Sequence, residues 1–416
     1  MSQSRYLLKK FTLIPNGTSL KEPYEVKAGF VSFDYFESIE SPTISATYTF
    51  IDLDSVISRL GITGGEFVEI DIQDGDEDKF KITAKHNMMI NSVKGVVQDG
   101  NKEIATLELI SIETITNETA RLNKKFTGNI SQTVEEILTK DKKGIQTKKK
   151  LFKDESANSY SFIGNLKRPF DTIQWLCPKT QSPKSFGFLF YENLDGYHFK
   201  SIEGLFDQDA YRYQKTDRPL IDDGKILENK LEQSNDIGMN CRMGMYANKT
   251  IYVDIENQEA EVIDFDLGQL KDLRKPAEAP KGFAKKPTRL MLRASDAGAL
   301  QKGSVKDETE PQNSLAVYQN KSYIRNNLLF SQSFMMSIPV NTKLRVGELI
   351  DVKLPLKRDT QNPANRFGND KTNDPSGIYL IAELRHTLSR LGNRKVAQTT
   401  VRLIRNVFTA PDKPVK

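Results

Sequence analysis

The sequence predicts a mainly β chain with α+β insertions, and three patterns carry that expectation. Thr43–Asp52 alternates strictly: Ile44, Ala46, Tyr48 and Phe50 fall on one face, Thr43, Ser45, Thr47 and Thr49 on the other. This is the period of a half-buried strand. Phe67–Gln73 repeats it, setting Val68, Ile70 and Ile72 against Glu69, Asp71 and Gln73. Near Thr116 the spacing turns helical, and after Arg345 the alternating runs return.

In the first β segment, Asp54–Leu60 fits a short helix or turn closed by Gly61. Asp74-Gly75 signals a turn, Lys79–Val93 resumes as strand, and Gly100-Asn101 precedes a further strand over Glu103–Glu113. Four or five strands at this spacing suggest a sandwich or a closed barrel. Ile130, Val134, Ile137 and Leu138 then recur at helical spacing, with Ser131 placed to cap the start. Arg168-Pro169 opens a second helix, because proline at the first helical position gives up an N–H that has no partner there. Phe170, Ile173, Leu176 and Cys177 face one way along it. Phe186–Tyr191 and Tyr197–Ile202 form a hairpin around Asp195-Gly196.

Beyond the hairpin the pattern weakens. Leu227–Tyr246 is expected to start a strand pair. Asp254–Asp266 carries six acids and no base, whereas Lys271–Arg293 carries eight bases, two acids and three prolines. The second stretch reads as a surface loop, and the two runs can pair with each other or with neighbouring subunits. Leu315–Phe334 reads as helix and Leu349–Leu354 as strand. Leu356–Ser376 is a polar loop rich in Asn, Asp and Pro, long enough to be functional or disordered. Gly377–Ser389 and Val396–Val407 make a final strand pair joined at Gly392-Asn393. Gly65–Ile72 and Gly347–Leu354 share one form, a glycine followed by alternating apolar residues.

Composition narrows the function. The 416 residues allow two to four domains. With 38% hydrophobic and 28% charged residues the chain builds cores yet is polar, and a net charge of +5 is too weak to single out nucleic acid. No apolar run nears the ~18 residues that span a bilayer, and Met1–Lys10 does not read as a secretory leader. Cys177 and Cys241 cannot build a disulfide scaffold, and His86, His198 and His386 stand too far apart to suggest a metal centre. No phosphate-cradling glycine motif, nucleophile elbow or zinc-protease helix occurs. Gly64-Gly65-Glu66-Phe67 resembles a cyclic-dinucleotide synthase turn, but a glycine turn feeding a strand explains it better. The carboxylate pairs Asp52 with Asp54 and Glu66 with Glu69 read as solvated surface, and His386 as a hydrogen-bonded strand histidine. Lys140–Lys153, with seven lysines and one aspartate, reads as a solvated loop rather than a phosphate site. Trp175 reads as core packing. No catalytic, cofactor or metal residue is assigned, so a structural or assembly role is expected.

Several blocks together resemble one family. ISATYTFIDLDSVISRLGITGGEFVEIDI (Ile44–Ile72), ATLELISIETITNETARLNKKFTGNISQTVEEI (Ala105–Ile137), Arg168-Pro169-Phe170 with Trp175-Leu176, GFLFYENLDGYHFKSI (Gly187–Ile202) and Arg345–Val352 with Gly377–Arg405 resemble, in order, the central baseplate hub proteins of T-even-type contractile-tailed phages. The resemblance implies two similar tube-like β-barrel domains plus two smaller accessory domains. Residues 1–115 would form the first barrel, 116–205 an α+β accessory domain, 206–240 with 316–416 the second barrel, and 241–315 an irregular insertion. It further implies a homotrimer in the virion baseplate that adapts the hexameric tail tube to a trimeric central spike. The partners would be the spike, the first ring of tube protein and baseplate wedge or tube-initiating proteins. DNA would pass through the lumen without specific binding, repelled by acids such as Glu69 and Asp71. The long polar loop offers Arg358, Arg366, Phe367 and Lys371 as a partner contact. Three rivals stand beside this reading: a hub of a related injection or secretion machine, a hub-associated cell-wall hydrolase, and a carbohydrate-binding module. The chain ends too soon after Val407 for a fused spike, no hydrolase segment is visible, and a single tryptophan on a helix makes a poor sugar platform.

Overall fold

The computed structural model describes residues 6–52, 55–74, 78–99, 102–182, 186–215, 224–234, 236–254, 258–267, 286–294, 313–354, 376–391 and 394–406. The first segment holds strands β1 (Tyr6–Ile14), β2 (Tyr24–Glu25), β3 (Phe30–Ser38), β4 (Ser45–Asp52), β5 (Phe67–Asp74), β6 (Asp78–Ile82), β7 (Met88–Asp99) and β8 (Lys102–Ser111), with helix α1 (Val56–Leu60) after β4. The middle segment holds α2 (Ile112–Thr119), β9 (Lys125–Phe126), α3 (Ile130–Glu135), β10 (Leu151–Lys153), β11 (Phe162–Ile163), α4 (Pro169–Leu176), β12 (Phe188–Asn193), β13 (Gly196–Ser201) and α5 (Ile202–Phe206). Then come β14 (Ala210–Gln214), β15 (Glu228–Ser234), α6 (Ile237–Arg242), β16 (Ala247–Asp254), β17 (Glu259–Asp266), β18 (Arg289–Ala294), α7 (Asn313–Leu329), β19 (Gln332–Pro339), β20 (Leu349–Lys353), β21 (Gly377–Leu391) and β22 (Arg394–Arg405).

The strands the sequence predicts most firmly are present with the predicted faces. Ile44, Ala46, Tyr48 and Phe50 are all buried, as are Val68, Ile70 and Ile72. Gly61 ends α1 in the left-handed region at φ 62°. Gly65 and Gly347 both have positive φ, 100° and 85°, and each turns the chain into a strand. Pro169 occupies the first turn of α4, and Phe170, Ile173, Leu176 and Cys177 line its buried side.

Four expectations need correction. The strands do not close into two barrels. Among the described residues fourteen strands form one sheet along the path β15-β19-β22-β21-β3-β4-β8-β7-β5-β1-β2, with β6 on β5, β20 on β21 and β14 on β20. The cause is β21. Its start pairs with β20, from Val352↔Gly377 to Leu349↔Leu380. A bulge between Ile381 and Glu383 then re-aims it, and Glu383–Ser389 pairs with β3 of the first segment. Second, the cap of α3 is Asn129, whose side chain accepts from the Ser131 N–H, two positions earlier than expected. Third, the helix over Leu315–Phe334 stops at Leu329, because Phe334, Met336 and Ile338 alternate into the core as strand β19. Fourth, the end of the basic run is not loop: Arg289–Ala294 is a strand that, with Glu259–Asp266, flanks β16 in a three-stranded sheet, and residues 271–285 lie outside the described residues.

Apolar packing follows this topology. One core runs from Tyr6 to Ile404 and joins both parts of the large sheet. A second fills the middle segment, from Leu122 to Phe199. A small third core packs Tyr246 and Phe265 of the three-stranded sheet against Ile324 and Leu328 of α7. Because the first core and sheet are continuous, the two parts should unfold together. Phe33→Ala in the first part and Phe334→Ala in the second should each cost about 3–5 kcal/mol. Both should lower the midpoint of one shared urea transition when hydrogen exchange is followed in β4 and in β22. Separate transitions for the two strands would refute a continuous core.

Candidate functional site

Where the middle segment meets the large sheet, the structure buries charge. Lys149, only 5% exposed, extends its ammonium to Glu192 Oε1 at 2.6 Å and Glu113 Oε2 at 2.8 Å. It also donates to Ser111 Oγ at 3.2 Å. The two carboxylates are otherwise satisfied by local donors. Thr147 Oγ1 donates to Glu113 Oε1 at 2.7 Å, while Ser111 Oγ and the Ile44 N–H donate to Glu192 Oε2 at 2.8 and 3.0 Å. Four places in the chain thus meet at one ammonium: the β3–β4 turn, the end of β8 with α2, the lysine-rich loop, and β12.

A second buried carboxylate closes the joint. Glu37 on β3 accepts from Tyr35 OH and the Leu194 N–H at 2.8 Å each, and from the Val346 N–H at 2.9 Å. It ties the first part of the sheet to the β12–β13 turn and to the entry of β20. Beside it Gly347 must be glycine: at φ 85° a Cβ would run into the hydroxyl of Tyr191. The Tyr191 ring stacks on His198, 4.9 Å between centroids, and Phe152 stacks on the same imidazole at 4.8 Å.

Protonation follows burial. Desolvation raises the Glu192 carboxyl to about 7 despite Lys149, and Glu348, between Arg345 and β20, also to about 7. Burial raises Glu37 as well. Burial and the neighbouring Lys200 lower His198 to about 4, and burial with Arg345 lowers His386 to about 3. Glu37, Glu113 and Glu192 are all almost wholly buried, so they are placed to fix elements rather than to reach a solvated substrate.

The sequence-derived candidates distribute differently. His386 is the hydrogen-bonded strand histidine expected, with Nδ1 2.9 Å from Thr399 Oγ1 and its ring over Tyr35. Asp52 and Glu66 are buried rather than solvated. Asp52 caps α1 by accepting the Val56 and Ile57 N–H groups at 2.7 and 3.0 Å. Glu66 continues the inward face of Val68 and Ile70, and neither of its carboxylate oxygens has a hydrogen-bond partner among the described residues. Glu69 and Asp71 face outward but offer no bare negative charge for repelling DNA, since Lys10 and Lys81 pair with them at 2.7 and 2.8 Å. The lysine-rich loop is not wholly solvated, because Lys149 leaves it for the joint. Trp175 packs edge-on against Tyr160 and Phe162. Asp54, Arg358, Arg366, Phe367 and Lys371 lie outside the described residues. Among the described residues no cluster of three His, Cys, Asp or Glu side chains is suited to a metal, and no helix is long and apolar enough to cross a membrane.

Sequence reasoning missed Glu37, Glu113, Lys149 and Glu192. The one available signal was Glu37 and Glu192 standing inside strand patterns that are otherwise aromatic or apolar.

With this geometry the chain can be compared with known proteins. No family model matches it, and no curated protein matches its sequence. Its structural neighbours include two tail proteins. A tail protein from Neisseria meningitidis MC58 superposes with a TM-score of 0.55 at 11% identity, covering 98% of each chain. The 43 kDa tail protein of prophage MuSo2 from Shewanella oneidensis gives 0.53 at 9% identity, covering 95% of this chain and 98% of that one. Over essentially its whole length the chain shares the fold of these two tail proteins.

The joint makes two measurable claims. Lys149→Met would strand two buried carboxylates and should cost about 3–5 kcal/mol, read by urea denaturation; a loss below 1 kcal/mol would show the cluster to be solvated. The pH dependence has a definite sign. Glu192 holds its proton in the folded chain up to about 7, whereas the unfolded chain loses it near the ordinary carboxyl value of 4.5. Its contribution is therefore fully present below pH 4.5 and lost as pH rises through 7. Glu192→Gln should flatten that part of the stability curve; an unchanged slope would mean that Glu192 is ionised throughout.

Proposed function

We propose that the chain is a structural hub of a contractile phage tail baseplate. Three copies form a ring that adapts the six-fold tail tube to a three-fold central spike, leaving a lumen for DNA. Its location is the virion tail, and its partners are the spike, the first ring of tube protein and the wedge or tube-initiating proteins around them. It has no catalytic task. The observation that supports this reading best is the end-to-end agreement of its fold with two phage tail proteins at 9–11% identity.

Two features of the chain agree with a scaffold. Its first sheet part and the later part that holds β19 to β22 are joined by the pairing of β3 with β21, which fixes one against the other. Three inter-residue ties hold the middle segment against them: Glu192 to Ile44, Glu37 to Leu194, and Lys149 to Ser111.

Multi-angle light scattering of the purified chain, alone and with its spike, should give a trimer. A monomer or dimer under both conditions contradicts the hub assignment. Purified peptidoglycan should release no soluble fragments when incubated with the chain alone, and release above the buffer control would make it an enzyme.

A further inference from the structure

α7 is a polar helix at a junction, and its two sides serve different neighbours. Asn320, Ile324 and Leu328 fall on one side at helical spacing. There Ile324 and Leu328 pack with Met245, Tyr246 and Phe265 in the third core. Thr250 Oγ1 of β16 donates to Asn320 Oδ1 at 2.9 Å, and Arg293 Nη1 of β18 donates to Gln319 Oε1 at 2.6 Å. The helix and the three-stranded sheet thus make one body with its own apolar core.

The other side of α7 carries Ser322, Arg325, Asn326 and Leu329. It meets the middle segment, and most of what it buries there is polar. Arg325, 3% exposed, pairs with Glu203 of α5. Asn326 lies against Gly187, where at φ 90° an added Cβ would stand 3.2 Å from its Oδ1. Beside them Lys321 Nζ is 4.8 Å from the centre of the Phe186 ring. Ser322 is fully buried, yet its hydroxyl, like Asn326 Oδ1, has no hydrogen-bond partner among the described residues. Leu329 on this side belongs to the first core, and it is the last residue of the helix.

We infer that the three-stranded sheet and α7 swing as one body, opening the seam between α7 and the middle segment while the third core stays closed. The two contacts of α7 differ in what they give up to water. Lifting the helix off its sheet would expose Ile324, Leu328, Tyr246 and Phe265, which water solvates poorly. Lifting it off the middle segment exposes an ion pair, an amide and a hydroxyl. Water solvates all of these, and the polar atoms that lack a partner in the closed seam gain one. Opening follows the interface that loses least, as sub-global opening does in other folds. The chain path allows it. Only Phe330 and Ser331 separate α7 from β19, and the Ser331 N–H bonds back to Leu328 O at 3.1 Å. Residues at the end of an element in this way are where hinge rotations are absorbed. The open form would bare Phe186 and Gly187 at the entry to β12 and Glu203 on α5. The inference rests on the fold alone and does not depend on the baseplate reading.

The test uses the full chain with Cys241→Ser as background. A thiol is placed at one of three fully buried sites: Ser322→Cys in the seam, Thr250→Cys between α7 and its sheet, or Ala105→Cys in the large sheet. With dithionitrobenzoate under native conditions, Ser322→Cys should react roughly tenfold or more faster than the other two. Asn326→Leu, added to Ser322→Cys, removes a buried acceptor and should slow that labelling. Glu203→Lys, which sets a cation against Arg325, should speed it and leave Ala105→Cys unchanged. Ser322→Cys as protected as Ala105→Cys overturns the swing. Thr250→Cys as reactive as Ser322→Cys overturns it too, because the sheet and α7 would then come apart rather than move together. A seam rate that neither Asn326→Leu nor Glu203→Lys changes also counts against it.

Discussion

The structure depends most on one buried ammonium. Among the described residues Lys149 is the only basic group bonded to the Glu113 and Glu192 carboxylates, and those carboxylates sit where four stretches of the chain must agree in position. Desolvating a carboxylate costs several kcal/mol, which its counter-ion returns only when the geometry is close and the remaining lone pairs are filled. Here Ser111, Thr147 and the Ile44 N–H fill them. The middle segment can therefore rest on the sheet in one orientation. A sliding apolar contact would tolerate a shift of an ångström or two, whereas this network would then leave charge unpaired.

Glu37 extends the same logic across the sheet. It receives N–H groups from the β12–β13 turn and from the residue before Gly347, so the middle segment, β3 and the entry of β20 share one acceptor. Gly347 and Tyr191 pack so closely there that no side chain fits between them. The bulge near Ala382 then lets β21 leave β20 and continue along β3. A strand that serves two partners in succession cannot belong to two closed rings, and this is why the sheet is continuous where the sequence suggested two barrels.

The legible parts were those where a local pattern and the final environment agree. β4 and β5 show alternation over eight residues, and no competing period exists. α4 shows Pro169 at its start and a single apolar stripe. The end of α7 was illegible because Tyr323, Leu328 and Phe330 fit a helix face while Phe334, Met336 and Ile338 fit a strand, and the changeover has no glycine or proline to mark it. The joint was illegible for another reason. A lysine among seven in a short run carries no mark that it is the buried one. Asp52 and Glu66 look like strand-edge acids, and only the helix N–H groups above Asp52 and the inward face beneath Glu66 decide otherwise. Burial of charge is settled by tertiary neighbours, which a single sequence does not display.

The same distinction bears on how a fold persists at 9–11% identity. An alternating strand asks only for apolar residues of suitable size on one face, a condition that many sequences meet. A buried ion cluster asks for particular groups at particular distances, and an apolar set of similar volume is often as stable. Stability alone therefore gives little reason for Glu192, Lys149 and Glu113. What they provide, and an apolar set would not, is a single docking geometry between the middle segment and the sheet. The middle segment and the large sheet have separate apolar cores, so their relative angle is not set by a shared core, and the buried charges supply that restraint.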